Sequence, residues 1–143
     1  MIAFKTRYTV ATLLYCGMIF ALSSQSEPPA ADWALLDLPG MDKVAHGILY
    51  AGLAGLVSLG LWRSNETLRA PVHFWIPVLF AVLYGLSDEV HQLYVPERTF
   101  EWMDLLADGL GATMVQVPLC AYLRPGAKNR GAVGNFRAAG DMD

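Results

Sequence analysis

Histidine and carboxylate side chains recur at helical spacing in two segments of this 143-residue sequence. In the first segment, Asp42, His46 and Tyr50 follow one another at intervals of four, so a helix places them on one stripe. In the second, Asp88 lies three residues before His91, which again puts a carboxylate and an imidazole on one helix face. A histidine beside a carboxylate is a common pairing in general acid–base catalysis, because its charge changes near neutral pH.

Eleven residues form the set of candidate site residues, which we call the polar cup. The candidate catalytic residues are those that could act as base, acid or orienting partner: His46, Asp88, Glu89, His91 and Asp104. The candidate ligand-binding residues supply charge or hydrogen bonds: Asp42, Lys43, Tyr50, Gln92, Arg98 and Asp108. Arg98 and Lys43 suit an anionic head group, phosphate or carboxylate. No serine or cysteine stands out as an activated nucleophile, and no motif names a reaction.

A metal site is a separate question, because two histidines and several carboxylates could complete a shell for zinc or a harder cation. Glu89 and His91, however, are only two residues apart on one helix, so their side chains diverge. The sequence also has no His-Glu-x-x-His pattern. We therefore predict no metal ligands and no cofactor, with a bound divalent metal as the less favoured alternative.

The elements that must position these residues are apolar. The chain is 55% hydrophobic and 16% charged, whereas a soluble domain carries roughly 25% charged residues. Four apolar stretches cover about residues 8–22, 44–62, 72–86 and 105–123, and the stretch 48–62 (ILYAGLAGLVSLGLW) has almost no polar residue. A soluble helical bundle would show polar residues every third or fourth position. The pattern predicts an all-α membrane protein, a compact bundle of four transmembrane helices.

The predicted domain covers residues 1–123, with spans at about 8–24, 43–62, 72–94 and 103–123, followed by a flexible basic tail at 124–143. Basic residues concentrate in alternate segments: Lys5 and Arg7; Arg63 and Arg69; Arg124, Lys128, Arg130 and Arg137. By the positive-inside rule, both termini and the tail are then cytoplasmic. The first stretch also fits a signal peptide, and either outcome places the following loop outside. Cys16 and Cys120 lie inside predicted spans, and the net charge of -3 indicates no nucleic-acid partner.

In this topology the polar cup lies at the outer ends of the helices, because each helix carries its polar cup residues where it meets the outer membrane surface. Ionisable groups are costly near hydrocarbon, so we expect His46, Asp88 and Asp108 to face the bundle interior and pair with one another. In a purely structural network, the pairs would be Asp42–Lys43, His46–Asp88 and Arg98–Asp104. Small residues recur at intervals of four in two of the spans: Gly47, Ala51 and Gly55; Ala107 and Gly111. They predict close packing of those helices.

Four fragments resemble the VanZ-like family of bacterial membrane proteins: FALSSQ, DKVAHGILY, SDEVHQLYVPERT and DLLADGLGA. The family's motif residues fall here on Asp42, Lys43, His46, Tyr50, Asp88, Glu89, Gln92, Arg98 and Asp104, with Gly111 in a packing role. This chain has Glu97 where the family usually has Gly, and Asp108 where it often has Asn. The resemblance implies the bacterial cytoplasmic (inner) membrane, a multi-pass topology and an association with low-level resistance to the glycopeptide teicoplanin. It implies no mechanism.

Three functions remain open on these residues. In the first, an extracytoplasmic cup binds a cell-envelope ligand: a lipid head group, a cell-wall precursor or a glycopeptide antibiotic. In the second, the protein is a membrane hydrolase or transferase that uses a His–carboxylate pair. In the third, the polar residues are a structural network between helices. The predicted partners are the lipid bilayer and a lipid-linked or glycopeptide ligand; the oligomeric state is left open.

Overall fold

The computed structural model describes residues 4–26, 39–65 and 67–123. These residues form four helices: α1 (Thr6–Ser23), α2 (Met41–Ser64), α3 (Ala70–Gln92) and α4 (Trp102–Leu123). No strand occurs in this part of the chain, so the predicted all-helical class is confirmed. The predicted basic tail at 124–143 lies outside the described residues.

The helices bury polar side chains and expose apolar ones, which is the reverse of a water-soluble bundle. Large apolar residues such as Leu14, Leu79 and Met114 are exposed, while Asp108 and Gln116 are fully buried. Three helices, α2, α3 and α4, are long and apolar enough to cross a membrane. An exposed apolar surface of this kind needs lipid around it, because the protein would aggregate through it in water. The fold is therefore that of a membrane protein.

Helices α2 and α4 make the most extensive helix–helix contact, and glycine sets their separation. A Cβ added to Gly111 would overlap the backbone of Gly47, and one added to Gly47 would lie 3.5 Å from the carbonyl oxygen of Ala107. Since small residues let membrane helices approach closely, the predicted close packing is confirmed at this pair. A core that includes Tyr50 and Leu53 fills the space beside it.

The turn between α3 and α4 contains a backbone conformation that favours glycine. Glu97 has φ of 65°, and it is the one non-glycine residue with positive φ in the described ranges. The left-handed region costs an L-residue with a Cβ roughly 1–2 kcal/mol. Glu97 thus adopts the conformation that the family's usual glycine would take at no cost.

The polar residues meet at one end of the bundle. The chain direction brings together the last turns of α1 and α3 with the first turns of α2 and α4. Buried polar side chains at this end come from three helices and include Ser23, Asp88 and Asp104. The polar cup is thus built from helix ends that are distant in sequence, and α2 packed on α4 positions its centre.

Candidate polar site at one end of the bundle

The centre of the polar cup is a hydrogen bond between α2 and α4. Nδ1 of His46 lies 3.0 Å from Oδ1 of Asp108, and its Nε2 lies 3.9 Å from Oδ2 of Asp104. An ionised carboxylate only accepts hydrogen bonds, which assigns the proton to Nδ1. In the neutral ring, Nε2 then carries the lone pair. His46 is therefore oriented by one carboxylate and faces another.

Lys43, the third residue of α2, is surrounded by carboxylates. Its Nζ lies 2.6 Å from Asp42, 2.8 Å from Glu101 and 2.9 Å from Asp104. The predicted Asp42–Lys43 pair is present, but the ammonium group is already shared among three carboxylates. Sequence reasoning missed Glu101, although positions 101, 104 and 108 have the spacing of one helix face.

Glu89 of α3 is fully buried beside this cluster. Its Oε2 accepts a hydrogen bond of 2.8 Å from the backbone N–H of Glu101, just before α4. Its Oε1 has no hydrogen-bond partner among the described residues. Glu89 therefore fixes the start of α4 with one oxygen and leaves the other free.

Asp88 belongs to a second chain of hydrogen bonds, on the side of α1. The Ser23 hydroxyl donates to Asp88 Oδ1, and the Gln92 amide donates to Asp88 Oδ2 over 3.4 Å. Arg98 Nη2 donates to Gln92 Oε1 over 2.7 Å. Ser23 was not among the candidate residues; its position at the end of the fragment FALSSQ was the available signal.

Two pairs of the structural-network alternative do not form among the described residues, whereas the expected pairing of His46 with Asp108 does. His46 is hydrogen-bonded to Asp108 and not to Asp88, because Asp88 faces α1 while His46 faces α4. Arg98 is bonded to Gln92 and forms no ion pair with Asp104 or with any other carboxylate in the described part of the chain. Periodicity predicted which helix ends carry these groups but not the rotation of each helix about its axis.

His91 lies outside the cluster that surrounds His46. Its Nε2 is 3.0 Å from the Ser24 hydroxyl, and its ring packs on Phe20 with centroids 4.4 Å apart. The divergence of Glu89 and His91 expected from their spacing is thus observed. Tyr50, by contrast, is fully buried and stacks with His46, with centroids 6.2 Å apart.

Two cavities adjoin at the cup. The first, about 250 Å³, extends between α1, α2 and α3, and Ile19, Leu22 and Leu49 give it an apolar wall. The second, about 230 Å³, is mainly polar and lies under the α3–α4 turn, beside Thr99 and Glu101. Four residues line both cavities: Asp42, His46, Gln92 and Arg98. Together the cavities offer an apolar compartment that leads to a charged one, in which four carboxylates accompany Arg98 and His46.

Apolar spanning helices with a buried polar cluster at one end define an integral membrane protein with a candidate ligand site. A family model described as VanZ/LLP1 matches residues 2–120, and the chain belongs to that family. The family resemblance of the sequence is therefore confirmed. Neither the comparison with curated proteins nor that with solved structures finds a match.

Proposed function

We propose that the polar cup binds the phosphate-bearing head group of a cell-envelope lipid, with the first part of its hydrocarbon chain in the apolar cavity. The observation that carries this proposal is the pair of adjoining cavities, one apolar and one polar, with Arg98 lining both. A lipid has the same division into a charged and an apolar part. Phospholipids and lipid-linked cell-wall precursors share this chemistry.

The state of Arg98 supports an anionic group in the polar cavity. Its guanidinium is half-buried, and its one described side-chain hydrogen bond is to a neutral amide, that of Gln92. Arginine has five N–H donors, so most of them remain for a ligand. Lys43 is less suited to this role because three carboxylates already surround it. The binding of an anion is therefore assigned to Arg98.

The distribution of basic residues supports an outward-facing site. Under the positive-inside rule, the segments that contain Arg63 and Arg69 stay in the cytoplasm, and the cup is at the opposite end of α2 and α3. Helix α1 has 18 residues, or about 27 Å at 1.5 Å per residue, close to the hydrocarbon thickness of a bilayer. We include α1 as a fourth span, with the N-terminus in the cytoplasm.

A membrane hydrolase or transferase is the second candidate, and the His46–Asp108 hydrogen bond favours it. A histidine oriented by a carboxylate can act as general base toward a group held in the adjoining cavity. The role in glycopeptide resistance that the family resemblance implies stays a prediction.

The test is a binding titration of purified protein in detergent with phosphatidylglycerol, undecaprenyl phosphate and teicoplanin, with products followed by mass spectrometry. We expect saturable binding of a phosphate-bearing lipid that weakens about tenfold or more in Arg98→Ala, since hydrogen bonds to charged groups contribute about 1.5–3 kcal/mol. Arg69→Ala, at the other end of the bundle, is the matched control.

Equal affinities of the two arginine variants would contradict the proposal. Turnover that is lost in His46→Ala would instead establish the second candidate. Binding of teicoplanin alone would replace the lipid as ligand.

A further inference from the structure

A cluster of histidine and carboxylate donor atoms lies beside the two cavities, on the α3–α4 side of His46. Three residues on three helices, His46, Glu89 and Asp104, each offer one donor atom, and these atoms lie within 4.8 Å of one another. We propose that they hold a divalent metal ion of the zinc type. This revises the expectation of no metal ligands, which rested on the divergence of Glu89 and His91; the histidine that faces Glu89 is His46.

An unpartnered buried oxygen indicates that a cation belongs at this position. Glu89 is fully buried, and its Oε1 has no hydrogen-bond partner among the described residues. A buried carboxylate that is neither paired nor fully hydrogen-bonded is costly. A metal ion bound to Glu89 removes that cost.

The balance of charge points the same way. Glu89, Asp104 and Asp108 are three buried carboxylates, and among the described residues the one permanently charged cation that contacts any of them is Lys43. Lys43 also serves two exposed carboxylates. A divalent cation neutralises the carboxylate charge that Lys43 does not neutralise.

The surrounding contacts leave the donor atoms free. His46 uses Nδ1 to contact Asp108, so that Nε2 faces Asp104. Metal-bound histidines commonly donate their other N–H to a carboxylate in this way, which fixes the ring and raises its basicity. Lys43 contacts Oδ1 of Asp104, and the backbone of Glu101 contacts Oε2 of Glu89, so each ligand keeps one oxygen.

The donor set selects the metal. One imidazole nitrogen and two carboxylate oxygens suit zinc, and a site with three protein ligands keeps a position for water. With bonds of about 2.0–2.2 Å, donors lie at most about 4.4 Å apart, so small side-chain rotations close the shell. A second group with the right spacing, Asp42, Glu101 and Asp104, already encloses the Lys43 ammonium group and is not assigned to a metal.

The experiment uses tag-free full-length protein in detergent, stripped with a chelator and titrated with Zn²⁺ against a chromogenic competitor. We expect one equivalent of Zn²⁺ to bind, more tightly than Mg²⁺ or Ca²⁺, and to raise the thermal midpoint. Glu89→Gln should abolish this binding or weaken it well over tenfold, and Asp108→Asn should weaken it about 10–100-fold through His46. His91→Ala removes a histidine outside the site and should leave it unchanged.

Binding of less than one equivalent to the wild-type protein would overturn the proposal, whatever the folding of the variants. So would equal affinities in Glu89→Gln and His91→Ala. Arg98→Ala should retain zinc binding, so failure of the lipid proposal and failure of the metal proposal are distinguishable. Zinc on Nε2 would also exclude His46 as general base, because that lone pair would be occupied.

Discussion

Gly111 of α4 lies so close to the backbone of Gly47 in α2 that neither glycine faces an empty space. A Cβ on Gly111 would overlap the Gly47 carbonyl group. Gly47 directly follows His46 in α2, and Gly111 lies about one turn after Asp108 in α4. The separation of the two helices therefore also sets the distance across the centre of the polar cup.

Gly111→Ala should destabilise the protein by about 1–3 kcal/mol, because overpacking forces the two backbones apart. The matched control is Gly17→Ala in α1, where an added Cβ meets nothing within 4 Å. Thermal denaturation in detergent measures both variants. An equal midpoint for the two would show that the close contact does not limit stability.

Glu97→Gly should stabilise the protein by about 1 kcal/mol, because it removes the Cβ from a left-handed backbone conformation. Glu97→Ala removes the same charge but keeps the Cβ, so it should give no such gain. The free energy of unfolding in mixed micelles separates these effects. A similar gain in both variants would assign the effect to the carboxylate charge instead.

The His46–Asp108 hydrogen bond should have a measurable coupling energy in a double-mutant cycle with His46→Gln and Asp108→Asn. Polar pairs between membrane helices average about 0.6 kcal/mol and reach about 1.7 kcal/mol, and we expect this buried pair in the upper part of that range. A cycle of His46→Gln with Asp88→Asn should give much less, because Asp88 contacts Ser23 instead.

The proposed topology predicts opposite accessibility for two exposed threonines, Thr67 between α2 and α3 and Thr99 between α3 and α4. With Cys16 and Cys120 replaced by alanine, a membrane-impermeant maleimide should label Thr99→Cys in intact cells. Thr67→Cys should be labelled only after the membrane is opened. The reverse pattern would place the polar cup in the cytoplasm.

The helical class and the residues that meet at one end could be predicted because both depend on sequence periodicity and on the cost of charge in lipid. The partners of His46 and Arg98 could not, because they depend on the rotation of each helix. A rotation of one residue, about 100°, decides whether Asp88 faces α1 or His46. Apolar runs alone do not fix that angle.

The proposed metal ligands illustrate the same limit. Local spacing correctly separates Glu89 from His91, but it says nothing about His46, which is 43 positions earlier in the chain. Only the packing of α2 against α3 and α4 brings that imidazole to Glu89. The spacing 101, 104 and 108, by contrast, was readable, and it points to Glu101 as part of the cluster.

The dependence of His46 and Glu89 on partners from the α4 region also has a consequence for biosynthesis. Helix α4 leaves the ribosome after α2 and α3. It carries Asp108, the partner of His46, and Glu101, the partner of Glu89, directly precedes it. Before then, His46 and Glu89 of the nascent α2–α3 hairpin lack these hydrogen-bond partners. We therefore expect the hairpin to move laterally into lipid only after α4 has been synthesised. Ribosome-bound chains cut before position 100 and lengthened by a linker that spans the exit tunnel should accordingly remain beside the insertion machinery, and chains that continue through α4 before the same linker should not.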